Sequence, residues 1–224
     1  MNREKPKMDQ IYHVYNRGVE KRKIFLNNQD HYRFIHDLYE FNDANPAVFY
    51  RNNYSKSDFE LNKKREPLVE ILAFCMMPNH FHLMLRQIRE NGITDFMRKL
   101  GTGYANYFNK KYERVGSLFQ GKYKTNIIKK ENQYIYLPYY IHFNPLKLMI
   151  PNWKEDGIKD FEEAINFLEK YKWSSYLDFT GNRNFPYLIN KKFVIGLYGG
   201  SNNYKKSVIK WLRSNHSKSD FEWS

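Results

Sequence analysis

An α+β fold, an antiparallel sheet of about four or five strands with helices packed on it, is the class this sequence predicts. Two observations carry the prediction. Residues 74–87, FCMMPNHFHLMLRQ, hold two apolar runs on either side of Pro78-Asn79, a turn dipeptide, and read as a hairpin. Around that hairpin the periodicity changes in the order strand, helix, hairpin, helix, strand, helix. A hydrophobic content of 42% with 18% aromatics suffices for the core between such layers.

In chain order, residues 10–16, QIYHVYN, alternate as a strand that Arg17-Gly18 ends. Residues 28–43 read as a helix. Asn28 is placed to cap it, Tyr32, Ile35, Leu38 and Tyr39 recur at helical spacing, and Asn45-Pro46 breaks it. Residues 47–50 read as a short strand, and residues 51–66, polar and without periodicity, as an inserted surface loop. The hairpin strands cover 69–76 and 81–87. Ile93, Phe96, Met97, Leu100, Tyr104, Tyr107 and Phe108 then mark one face of a long helix. Gly101 and Gly103 weaken it while allowing another element to approach closely. Residues 118–128, LFQGKYKTNII, read as a further strand, and residues 131–144 as a tyrosine-rich helix with Pro138 inside it. Beyond Pro151 come an acidic amphipathic helix over 160–171, the tetrapeptide WSSY, and a last helix near 204–213. The expected organisation is one main domain over residues 1–150 with a helical C-terminal extension, 151–224, packed on it. SKSDFE occurs at both 55–60 and 217–222, and nothing in its chemistry explains the match.

A chain of 224 residues suits one domain with additions, or two small ones. A mean hydropathy of −0.80 and the lack of any apolar run near the roughly 20 residues of a spanning helix argue against a membrane protein. The first ten residues, MNREKPKMDQ, have basic character with no apolar segment behind it, so no secretory signal and a cytoplasmic location are expected. Cys75 is the single cysteine, which removes disulfides and cysteine metal sites. The net charge of +13 points to a polyanionic partner, although lysine-rich composition alone is the bland alternative. Distribution favours the partner. Lys110, Lys111, Arg114, Lys122, Lys124, Lys129 and Lys130 stand against Glu113 alone, with Tyr112, Phe119 and Tyr123 among them. Charges that track phosphates and rings on which bases stack suit single-stranded nucleic acid. Arg17, Lys122 and Lys124 are the expected phosphate contacts, and Phe119 and Tyr123 the expected stacking platforms.

The chemistry gathers at two places. In a strand His80 and His82 share a face, with Phe81 and Leu83 on the other, and two neutral imidazoles side by side are a ready nitrogen pair for a divalent metal. The plainer alternative is two surface or hydrogen-bonded histidines. Tyr140 and Asn144, four residues apart in YYIHFNP, fall on one helix face, about 6 Å apart along the axis. Pro145 disfavours helical geometry at Asn144, so the helix is expected to stop there with a phenol and an amide oxygen at its end. Against this, the chain has 19 tyrosines, and Tyr140 as a packing residue is the ordinary reading.

MPNHFHLML resembles the His-hydrophobic-His motif of the single-tyrosine HUH transposases. YIHFNPLK is similar to the tyrosine-helix motif of their REP-associated branch, where Tyr-Ile is followed by Asn-Pro and a basic segment. The similarity continues through ITDFMRKLGTGYANYFNKKYERVGSLFQGKYK between the motifs, and through WSSY and the helix after LYGG. It implies an HUH endonuclease-like, ferredoxin-like sandwich. It also implies that His80, His82 and Asn144 chelate Mg²⁺ or Mn²⁺, and that Tyr140 is the nucleophile. The implied reaction is cleavage and transfer of single-stranded DNA beside a hairpin, such as REP-like or insertion-element ends, through a 5′-phosphotyrosine, by a monomer or homodimer. Pro138 departs from the pattern and is expected to kink the helix. Two rivals share these residues: a metal-dependent nuclease or replication initiator, and a non-catalytic DNA-hairpin-binding protein with a degraded tyrosine site.

Overall fold

The computed structural model describes residues 5–46 and 65–213. The short strand expected at 47–50, nearly all of the loop expected over 51–66 and both SKSDFE copies lie outside the described residues. Four strands, β1 (Ile11–Arg17), β2 (Val69–Met77), β3 (His80–Gln87) and β4 (Lys124–Ile127), form one sheet in the order β2-β3-β1-β4. A 3-10 turn, Val19–Lys21, follows β1. The helices are α1 (Asn28–Glu40), α2 (Gly92–Lys111) and α3 (Glu131–Phe143), then α4 (Leu146–Met149), α5 (Trp153–Asp156), α6 (Phe161–Lys170), α7 (Tyr176–Phe179), α8 (Lys192–Leu197) and α9 (Ser201–Arg213). The fold is α+β with an antiparallel sheet, as the periodicity predicts. Among the described residues no helix is long and apolar enough to cross a membrane.

The chain divides into two compact units. The first comprises Met1–Glu70, Pro78–Phe81 and Leu85–Ile127. Here β1 pairs antiparallel with β4, with Tyr12 opposite Ile127 and Tyr15 opposite Lys124. The strand expected over 118–128 shrinks to four residues because Gly121 takes a positive φ of 82°, leaving only an isolated bridge between Gly18 and Phe119. Helix α1 is capped by Asn27, one residue earlier than expected. The Asn27 side chain accepts from the Asp30 N–H and the Asp30 carboxylate accepts from the Asn27 N–H, both at 3.2 Å. Asp30 then serves a second purpose. Fully buried, it accepts from Lys111 Nζ at 2.7 Å, Tyr112 Oη at 2.8 Å and Tyr107 Oη at 2.9 Å, tying α1 to the end of α2. Burial pushes its carboxyl up, but the bonds from Lys111, the Leu26 N–H and the two phenols outweigh that and hold it below the usual carboxylate range. Gly103 meets α1 where a Cβ would lie 2.3 Å from the Phe41 ring, whereas a Cβ on Gly101 would meet nothing within 4 Å. Close approach therefore explains one glycine of the pair.

The second unit comprises Ile71–Met77, His82–Met84 and Ile128–Ser224. Strand β2 is an edge of the sheet, and the WSSY segment covers it. Met76 N–H donates to Trp173 O at 2.9 Å, Ser175 N–H to Phe74 O at 3.0 Å, and Cys75 bridges Ser174 antiparallel. Around α3 lies an aromatic cluster in which Tyr139 stacks on Phe143 and on Tyr204, with Trp211 and Tyr198 against it. His142, also on α3, is fully buried between Tyr204 Oη and Ser175 Oγ, each 2.7 Å from a ring nitrogen.

Burial pushes His142 down to about 3, and does the same to His13 on β1. The unfolded chain takes up protons near pH 6.5 and the folded chain does not until about pH 3, so this stability is complete above 6.5 and is lost as the pH falls. At about pH 5 each histidine is expected to cost about 2 kcal/mol. Urea denaturation at about pH 7 and about pH 5 checks this, and coincident midpoints would contradict it.

Candidate active site

The turn before β3 is held rigidly. Pro78 O accepts from the N–H groups of Ile24 and Phe25, at 2.8 and 3.2 Å, and Asn79 O accepts from Gly18 N–H at 2.9 Å. Gly18 is required there, since a Cβ would sit 2.4 Å from Arg22 O. Along β3 the expected alternation is observed. Phe81 packs its ring 5.0 Å from that of Phe34, and Leu83 is wholly buried, so His80 and His82 project from the opposite face.

The protonation of His80 follows from its neighbour. Asn79 Nδ2 donates to Lys21 O at 3.0 Å, which fixes the amide and turns its Oδ1 toward His80 Nδ1 at 2.6 Å. An amide oxygen only accepts, so Nδ1 carries the hydrogen and the neutral ring keeps its lone pair on Nε2. A first-row or alkaline-earth cation needs such a lone pair.

Helix α3 supplies the phenol. Tyr140 is half-buried, and its ring stands edge-on to that of His82, with centroids 5.4 Å apart. One turn later Asn144 Nδ2 donates to Tyr140 O at 2.7 Å, which leaves Oδ1 as the amide's remaining polar atom. Pro145 does not turn the chain out of helical geometry, contrary to expectation. Asn144 (φ −51°, ψ −39°) and Pro145 (φ −60°, ψ −24°) both keep helical dihedrals. What the ring removes is the N–H that would continue the ladder, so α3 ends at Phe143 and α4 begins at Leu146. Pro138 sits buried inside α3, and the helix runs on past it to present Tyr140.

Among the described residues no three His, Cys, Asp or Glu side chains gather in metal-binding geometry. An amide oxygen such as Asn144 Oδ1 is a donor type that divalent cations accept. Imidazole nitrogen and amide oxygen are donor types compatible with a divalent cation, and they do not select one metal.

Of the expected DNA contacts, Arg17, Lys122 and Lys124 are exposed and Tyr123 is half-exposed, with its hydroxyl 3.4 Å from Thr94 Oγ1. Phe119 is different. It is only 7% exposed and packs against Phe81 and Tyr104, so it is a core residue with no face for a base. Lys111 and Tyr112 are likewise committed to Asp30. One residue that nothing in the local sequence marks out is Lys154 on α5, whose Nζ lies over the Tyr140 ring, 4.6 Å from its centroid.

Residues 57–144 match the family described as IS200-like transposases, a stretch that includes His80, His82, Tyr140 and Asn144. Among solved structures the chain is similar to a REP-associated tyrosine transposase bound to a REP hairpin. The identity is 14%, covering 83% of this chain and 88% of that one, with a TM-score of 0.50. No curated protein matches the chain.

Proposed function

From the match of residues 57–144 to the IS200-like transposases we propose that this protein cleaves and rejoins single-stranded DNA beside a hairpin. Tyr140 is the nucleophile, and His80 Nε2, a ring nitrogen of His82 and Asn144 Oδ1 hold Mg²⁺ or Mn²⁺. The observation that carries the reading is the Tyr140 ring set edge-on to His82, with Asn144 anchored on the same turn of helix. That the similar structure is bound to a REP hairpin supports a hairpin as the partner.

The residues divide the work as follows. Tyr140 Oη attacks the phosphorus, the bond to the 3′-oxygen breaks, and a 5′-phosphotyrosine remains. The bond energy is kept, so a 3′-hydroxyl reverses the step and joins strands without ATP. A cation held by His80, His82 and Asn144 would supply positive charge to the phosphate and favour in-line displacement. His80 is held in the required tautomer by Asn79, and α3 carries both the phenol and an amide ligand, which couples their positions.

The test is incubation with single-stranded hairpin oligonucleotides and Mn²⁺, followed by a search for a covalent adduct and mapping of the modified residue. An adduct on Tyr140 is expected; hairpin binding with no adduct under any divalent metal would leave only a hairpin-binding role. The exposed cations Arg17, Lys122 and Lys124 contact phosphates in this reading. Hairpin binding should therefore weaken steeply with salt, each phosphate contact contributing about 0.7–0.9 to the log–log slope. Replacing Lys122 and Lys124 together with alanine should lower that slope by about 1–2 while leaving the preference for hairpin over plain duplex. An unchanged slope would place the DNA on another face.

A further inference from the structure

Helix α5 is a four-residue turn, WKED, in a segment with no periodicity of its own. Its Trp153 is buried, and the next residue, Lys154, is half-buried with Nζ 4.6 Å from the Tyr140 ring centroid and 5.7 Å from that of Trp153. A cation placed over a tyrosine face interacts with the ring's π-density, and more strongly when water is partly excluded. The interaction grows if the phenol loses its proton, because a phenolate spreads negative charge into the ring.

We propose that Lys154 is a positioning residue for Tyr140, its ammonium holding the ring face and stabilising the negative charge on the phenol oxygen as that oxygen attacks and as it leaves. The inference rests on Tyr140 being the nucleophile. During cleavage the Tyr140 Oη–P bond forms and the P–O3′ bond breaks. The phenol proton passes to water, and the departing 3′-oxygen takes a proton from water. During joining the 3′-hydroxyl loses its proton, its oxygen bonds to phosphorus, and Tyr140 Oη departs as phenolate before it is reprotonated. Both directions pass through a charged tyrosine oxygen, so one fixed cation serves both.

The surroundings act on this charge in both directions. Burial first, and then the like charge of Lys147, press Lys154 down to about 7, with Glu155 acting in the opposite sense. His82 faces the same Tyr140 ring. An arriving phosphodiester brings negative charge and favours the ammonium. The cation is thus strengthened when DNA binds, which is when the phenol needs it.

Lys154→Met keeps the length of the stem and removes the charge, Lys154→Arg keeps a charge, and Lys154→Cys treated with bromoethylamine rebuilds an amine of similar reach. The protein's other cysteine, Cys75, is buried, so alkylation can be directed to position 154. The measurement is the single-turnover rate of Tyr140 adduct formation on a hairpin oligonucleotide with Mn²⁺, at saturating protein, alongside hairpin affinity and melting temperature. Lys154→Met is expected to slow the step at least about tenfold, the worth of a unit charge at this range, with affinity within about twofold. Lys154→Arg and the aminoethylated cysteine should recover most of the rate. A Tyr140 adduct formed by Lys154→Met at the wild-type rate overturns the role of Lys154 alone. So does a loss that neither Arg nor aminoethylation repairs, because packing would then be the cause. No wild-type adduct, or one that persists in Tyr140→Phe, overturns the nucleophile and the Lys154 role with it.

Discussion

Tyr140→Phe is expected to abolish the covalent protein–DNA adduct and leave hairpin affinity within about twofold, because phosphate contacts dominate such an interface and one hydroxyl adds little. Phenylalanine keeps the ring against His82 and beneath Lys154, so the fold should be undisturbed. The adjacent Tyr139 cannot take over. It is 3% exposed, its hydroxyl is 2.6 Å from Ser207 Oγ, and its ring is stacked between Phe143 and Tyr204. Burial raises its pKa, against which the bonds to Ser207 and Tyr198 act, so it is a poor source of phenolate. Tyr136 lies one turn before Tyr140 on the same side of α3 and is half-exposed. An adduct surviving in Tyr140→Phe would be sought there first, by peptide mapping.

Asn144→Ala carries the other large effect. Alanine removes Oδ1, the proposed third ligand, and a Mn²⁺ centre left with two imidazoles should lose at least about tenfold in affinity. Cleavage should slow with it, and high Mn²⁺ should restore part of the rate. The same change deletes the bond from Nδ2 to Tyr140 O, at a cost of about 1 kcal/mol in stability. Asn144→Asp separates the two roles. A carboxylate is a good ligand for a hard cation, but it has no N–H to give Tyr140 O, and at 2.7 Å two acceptors would repel. Asp is therefore expected to bind Mn²⁺ better than Ala does, while melting no higher. Calorimetric titration of Mn²⁺ into the three proteins decides it, and equal affinities for wild type and Asn144→Ala would reduce Asn144 to a helix cap.

What the chain's order of residues determined by itself was local. Alternation placed His80 and His82 on one face of β3 and Phe81 and Leu83 on the other, because strand geometry repeats every two residues wherever the strand lies. Helical spacing marked the buried face of α2 and put Tyr140 and Asn144 on one turn. The tertiary structure decided which of these side chains meet what. Phe119, interleaved with lysines, went into the core, and Lys111 and Tyr112 turned inward to Asp30. Tyr139 was sealed by α9 while its neighbour Tyr140 stayed half-buried, and WSSY was spent on the edge of β2. Lys154 reached Tyr140 from a turn fourteen residues further on. Periodicity is a property of neighbours along the chain, whereas burial, ion pairing and a ring's electrostatic surroundings depend on distant segments that only the folded chain brings within a few ångströms.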